Sequence, residues 1–198
     1  MGLLDTIFGR TKPVRANLDA LFALPSAAVT LQASAGLVPS GKAGVCFKPP
    51  AGQPFEEVQK ELEQVLATDG APPVTHVGDR FGYRWILIEG AGIDDIVTRA
   101  HVVHSSLEEA GWSTQLLCSV FGFRPGDAAD VPDAVSRPLY LVYLAKRGTF
   151  YPFAPTGEEQ RDSELELRIR SLVGSDLPVE DDLSRWFPLW DLPLDATP

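Results

Sequence analysis

The chain has 198 residues, 44% apolar and 22% charged, the balance of an ordinary soluble globular protein. A formal net charge of −10 argues against general nucleic-acid binding, which needs basic surface to displace counterions. No apolar run reads as a bilayer span, and the start has no secretory cleavage region.

The first ten residues are the most unusual. Leu3, Leu4, Ile7 and Phe8 fall on one face of a helix, and Arg10, Lys12 and Arg15 follow as a basic, proline-marked hinge. Met1-Gly2 through Thr6 also matches the short N-myristoylation pattern, a weak signal by itself. Such a segment either docks on the chain's own fold or meets an anionic membrane surface or a protein partner. Residues 1–15 are therefore taken as an amphipathic segment, 16–174 as a globular domain and 175–198 as an aromatic, acidic tail packed on it.

Asn17–Leu24 reads as a short helix ended by Pro25, with Asn17 as its cap. Ala28–Gln32 alternates like a strand and pairs in expectation with Gly44–Lys48, through a linker holding Gly36, Pro39, Ser40 and Gly41. Helical spacing resumes at Phe55, Val58, Leu62, Val65 and Leu66. Val74–Val77 and Tyr83–Glu89 form a hairpin around a tight turn. A long helix runs from Ile93 to Ala110 with Ile96, Ala100, Val103 and Leu107 as its buried stripe and Gly111 after its end. Gln115–Phe123 lacks polar alternation and reads as a central strand covered on both faces. Leu139–Ala145 and Thr149–Phe153 are further strands, and Glu158–Val173 is the last helix. On it Glu164–Arg168 and Glu166–Arg170 are i, i+4 pairs expected on a solvated face. Beyond it, Trp186, Phe187, Leu189 and Trp190 make the tail too aromatic for disorder; it should cover the core or anchor a partner. The element order predicts an α+β single domain, a largely antiparallel sheet packed by two or three helices.

Signals for chemistry are sparse. His101 and His104 lie three apart on the long helix, with Glu108 one turn further and Asp94 nearby. Two imidazoles and a carboxylate there would suit a metal-dependent hydrolase or metal-binding protein; the plainer reading is a half-buried flank in which His104 bonds Glu108. His76 reads as structural. Gly90-Ala-Gly92 precedes a helix but lacks the rest of a dinucleotide fingerprint, and no GxSxG or GxxxxGK occurs. Cys46 and Cys118, without CxxC spacing, read as buried reduced thiols of a cytosolic protein, with a disulfide between them as the alternative. Lys146 through Pro155 mixes cations with three aromatics and reads as core or protein interface rather than a base-stacking surface. Neither an enzyme nor a cofactor is indicated.

Several segments resemble the PspA-associated protein family PspAB of actinobacteria. They are the opening Met1-Gly-Leu-Leu-Asp5 with Gly9-Arg-Thr-Lys-Pro13, then Asn17–Leu31, Gln115–Phe123, Leu141–Pro155 and the ending Arg185-Trp-Phe-Pro-Leu-Trp-Asp-Leu-Pro193. The resemblance runs end to end. It implies an accessory protein of the phage-shock envelope-stress response, working with PspA, a membrane-remodelling protein, and carrying no catalytic residues. It also implies a cytoplasmic place, peripheral on the inner face of the membrane. The order of strands and helices is similar to small secretion-chaperone folds, a likeness of element order alone.

Overall fold

The computed structural model describes residues 17–50, 55–67, 72–79, 81–127, 131–157, 159–190 and 192–194. Leu3, Leu4, Ile7, Phe8, Arg10, Lys12 and Arg15 lie outside these residues. Six strands form one antiparallel sheet: β1 (Leu37–Phe47), β2 (Thr75–Gly78), β3 (Arg84–Glu89), β4 (Leu116–Pro125), β5 (Leu139–Leu144) and β6 (Thr149–Phe153). Their order is β2-β3-β1-β4-β5-β6, with β4 central as its unbroken apolar run requires. A separate ribbon pairs β7 (Pro155–Gly157) with β8 (Gln160–Arg161).

Side chains alternate across the sheet and so build two cores. Val45, Phe47, Ile86, Phe121, Leu141 and Phe150 point to one face, which carries the helices α1 (Leu24–Ala35), α3 (Ile93–Glu109) and α4 (Ser163–Val173). The stripe Ile96, Ala100, Val103 and Leu107 of α3 is buried there, and α2 (Glu56–Leu66) lies alongside α3. Cys46, Trp85, Val120, Val142, Tyr151 and Phe153 point to the other face, which the C-terminal tail covers through Trp186, Leu192 and Leu194. The architecture is α+β in one domain, with four α-helices among the described residues and an antiparallel sheet.

Several expectations fail at the start of this layer. Ala28–Gln32 is helix, not strand, because Pro25 occupies the first turn of α1, where proline is favoured, and alanine-rich sequence follows. A five-residue alternation is too short to outweigh that. Accordingly the 3₁₀ turn Leu18–Ala23 runs straight into α1, and Asn17 makes no side-chain cap bond. The supposed linker is itself β1. Gly36, at φ 67°, ends α1 in the left-handed conformation, and its N–H reaches Gln32 and Leu31 carbonyls. β1 then bulges between Pro39 and Ala43 before rejoining β4. The continuous helical stretch Leu18–Ala35 has mean hydropathy 1.2 and is long and apolar enough to cross a membrane by those two measures, contrary to the sequence reading. Leu21, Leu24 and Leu31 of this stretch are fully buried in the core it shares with the sheet and α3, 39% of the stretch is buried, and Phe22 and Val29 are exposed.

Helix α4 begins five residues later than its spacing suggests. Asp162 caps it, accepting from the Leu165 N–H at 3.0 Å.

Candidate functional site

The helix-free face of the sheet carries an open cavity of about 590 Å³. Its floor is a row of side chains in register across the sheet. Trp85 opposes Cys46, Cys46 opposes Cys118, and Cys118 opposes Leu144. Tyr83 lines it as well, together with Phe187, Leu189 and Trp190 of the tail. Asp79 and Glu159 bring acidic groups to this apolar space. The neighbouring row has Gly44 opposite Leu87; a Cβ there would meet the Trp85 ring at 3.2 Å, so the missing side chain lets the indole lie over the strand.

The tail is held by directed bonds rather than by apolar contact alone. Residues 178–180 add to the free edge of β6: the Phe150 N–H donates to the Pro178 carbonyl at 2.8 Å, and the Glu180 N–H to the Phe150 carbonyl at 2.7 Å. Glu180 is 1% exposed, yet it accepts from the Arg147 guanidinium and, at 2.8 Å, from the Thr149 hydroxyl. Burial works to raise its pKa, but the bonds from Arg147, Thr149 and the Asp182 N–H outweigh that and hold it below the usual range. Trp186 stacks on Tyr151 with ring centroids 6.0 Å apart and donates its indole N–H to the Glu180 carbonyl at 3.0 Å. Tyr151 in turn donates to the Phe187 carbonyl at 2.8 Å, which turns the following residues over the cavity.

A second polar knot sits beside it. Glu166 is 2% exposed and accepts from the Ala154 N–H and the Arg161 guanidinium, both at 2.9 Å. It is therefore not on the solvated face expected from its i, i+4 spacing to Arg170. Arg170 pairs with Asp181 instead, and Arg168 donates to the Asp133 and Ser34 carbonyls. Arg161 also donates to the Trp186 carbonyl at 2.7 Å, which ties this knot to the tail.

The histidine flank comes together differently from the sequence reading. His104 is fully buried and its Nε2 lies 2.6 Å from the Ser119 hydroxyl on β4, not on Glu108. Burial first, and the neighbouring His101 second, push its pKa down to about 3, so the ring is neutral at physiological pH. Its Nδ1 and the Glu108 Oε1 are buried without partners. His101 packs against Phe22, with centroids 5.1 Å apart. Among the described residues no group of three or more His, Cys, Asp or Glu is placed to share a metal ion. Tyr143 crosses the His104 ring edge-on and donates to the Asn17 carbonyl at 2.9 Å. This is the polar interior of a helix–sheet interface. His76 lies at the other end, edge-on to Phe55, with burial lowering its pKa.

The family PspAB, described as PspA associated protein B, matches residues 1–194. The chain belongs to this family. The match spans both the amphipathic start and the aromatic tail, so these parts belong to the PspAB sequence pattern along with the sheet. No curated protein and no solved structure matches the chain. The cavity wall and the Glu180 knot were not visible in the sequence; the signal it offered was the aromatic content of the tail after α4. Lys146–Pro155, by contrast, is largely core, since Phe150, Tyr151 and Phe153 are all buried.

Proposed function

We propose that this PspAB chain is a non-enzymatic accessory protein of the envelope-stress response, an adaptor of chaperone-like character that binds a PspA-type protein. The observation that carries the reading is family membership over residues 1–194. In this reading the chain works in the cytoplasm, peripheral on the inner face of the membrane. Leu3, Leu4, Ile7 and Phe8 supply the apolar contact, and Arg10, Lys12 and Arg15 the electrostatic one to a helical partner or an anionic surface. A ten-residue helix is marginal alone, so the partner or surface supplies the energy that orders it. His104 is committed to Ser119 inside the core, which gives no support to a hydrolase reading.

The test is the double variant Ile7→Asp/Phe8→Asp. Binding to a purified PspA-type protein, and co-sedimentation with anionic phosphatidylglycerol vesicles, should fall at least about tenfold, which is about 1.4 kcal/mol. The thermal transition should stay within a few degrees of the parent. A large fall in stability would instead assign the segment to the chain's own core, and unchanged binding would remove it from the contact.

A further inference from the structure

We propose that Cys46 and Cys118 are a redox pair at the floor of the cavity, closing to a reversible cross-strand disulfide by exchange with a low-molecular-weight disulfide. They stand directly opposite each other on neighbouring antiparallel strands, 72 residues apart in sequence, and both thiols are free.

The geometry of the pair follows from the main chain around it. The Gly148 N–H donates to the Leu144 carbonyl at 2.9 Å, which turns the main chain of Leu144 toward β6. The Ala145 N–H donates to the Leu117 carbonyl, which turns Leu117 toward β5. Cys118, between Leu117 and Ser119 and opposite Leu144, therefore faces β1, and its pairing with Cys46 is of the hydrogen-bonded kind. Such pairs have Cα atoms about 5.5 Å apart, inside the range that disulfides span. Their Cβ atoms sit wider than a relaxed disulfide prefers, so closure draws the strands together and stores strain. A strained disulfide is easily reduced again, which is the property of a labile rather than a structural bridge. A register irregularity between Cys46 and Phe47 lies next to the pair, where the strand can give.

Access is also set by the surroundings. Cys46 and Cys118 are buried but both line the cavity of about 590 Å³, the side from which a small linear disulfide would approach. The Cys46 thiol is pushed well above the ordinary thiol range, first by its hydrogen bond to Cys118, then by burial and the charges of Cys118 and Asp79. One cysteine of the pair, as its thiolate, displaces one thiolate from RS–SR and forms a mixed disulfide. The other cysteine then gives up its proton, attacks the sulfur of the first and expels the second RS⁻. The balance is two cysteine thiols and one external disulfide giving one internal disulfide and two external thiols.

The native full-length chain is incubated with 2-hydroxyethyl disulfide, quenched in acid, alkylated and read by peptide mass spectrometry. The expected result is the loss of two hydrogens per chain, a peptide pair linked through Cys46 and Cys118, and full reversal by dithiothreitol. Cys46→Ser and Cys118→Ser should each stop at a mixed disulfide on the remaining cysteine, because the resolving thiol is gone. Alkylation of both thiols after exposure, or a linkage that appears only in urea, overturns the proposal. The wild-type masses decide it even if a variant does not fold.

Discussion

Replacing His104 and Ser119 together by Leu and Ala should make the protein's stability less sensitive to mild acid. The native imidazole takes up a proton only near pH 3, because burial and the neighbouring His101 oppose the charge. An unfolded chain binds that proton below about pH 6.5. Between these values the unfolded state holds more protons than the native one, so stability rises with pH. The contribution is complete above the unfolded value and is lost as pH falls toward the folded one. From pH 7 to pH 5 the single site should cost the wild type about 2 kcal/mol, from a limiting slope of about 1.4 kcal/mol per pH unit. Exchanging both hydrogen-bonded partners for apolar groups avoids leaving either one unpaired, so the variant should fold. The assay is urea unfolding of both proteins at several pH values between 7 and 5. The difference in unfolding free energy should move by about 2 kcal/mol in favour of the variant as pH drops. A difference that stays flat would show that the imidazole is hydrated, or already charged, in the native state, and would refute the buried neutral assignment.

The tail gives two further expectations. Trp186→Ala should destabilise the fold by about 3–5 kcal/mol in urea unfolding, since a buried, stacked and hydrogen-bonded indole is lost, whereas Phe187→Ala, at a side chain 60% exposed, should cost within about 0.5 kcal/mol. Equal costs would mean that the tail does not seat as described. For Glu180 the native carboxylate is held below its usual range, so its stabilising contribution is present above the unfolded pKa and disappears as pH falls through the folded one. Glu180→Gln should therefore be less stable than wild type near neutrality, with the gap narrowing on acidification below about pH 4.5. A gap that widens would contradict the bonding described at this carboxylate.

Legibility in the sequence tracked the length of each pattern. The stripe of α3 continues for three turns and was readable, as were the central strand β4 and the glycine after α3, Gly111 at φ 82°. Ala28–Gln32 reads as a strand because five alternating residues fit both periods, while Pro25, Ala27, Ala33 and Ala35, which decide for helix, lie outside that alternation. Glu166 was misread for a different reason. Spacing along a helix finds its neighbours at Arg170, but the docking of α4 against β6 buries the carboxylate and offers it Arg161 and the Ala154 N–H. The facing of Cys46 and Cys118 depends on the pairing of β1 with β4, a long-range choice that no local pattern carries. The candidate contact at Leu3, Leu4, Ile7 and Phe8 comes from the sequence pattern alone, since those residues lie outside the described part of the structure.

The most direct test of the proposed role is a binding titration of a fluorescently labelled PspA-type protein with the full-length chain and with a deletion of residues 1–12. Saturable binding by the full-length chain, weakened at least about tenfold by the deletion, is the predicted result. Absence of a complex with the full-length chain would contradict the accessory role, and equal binding by both would contradict the assignment of the contact to the first segment.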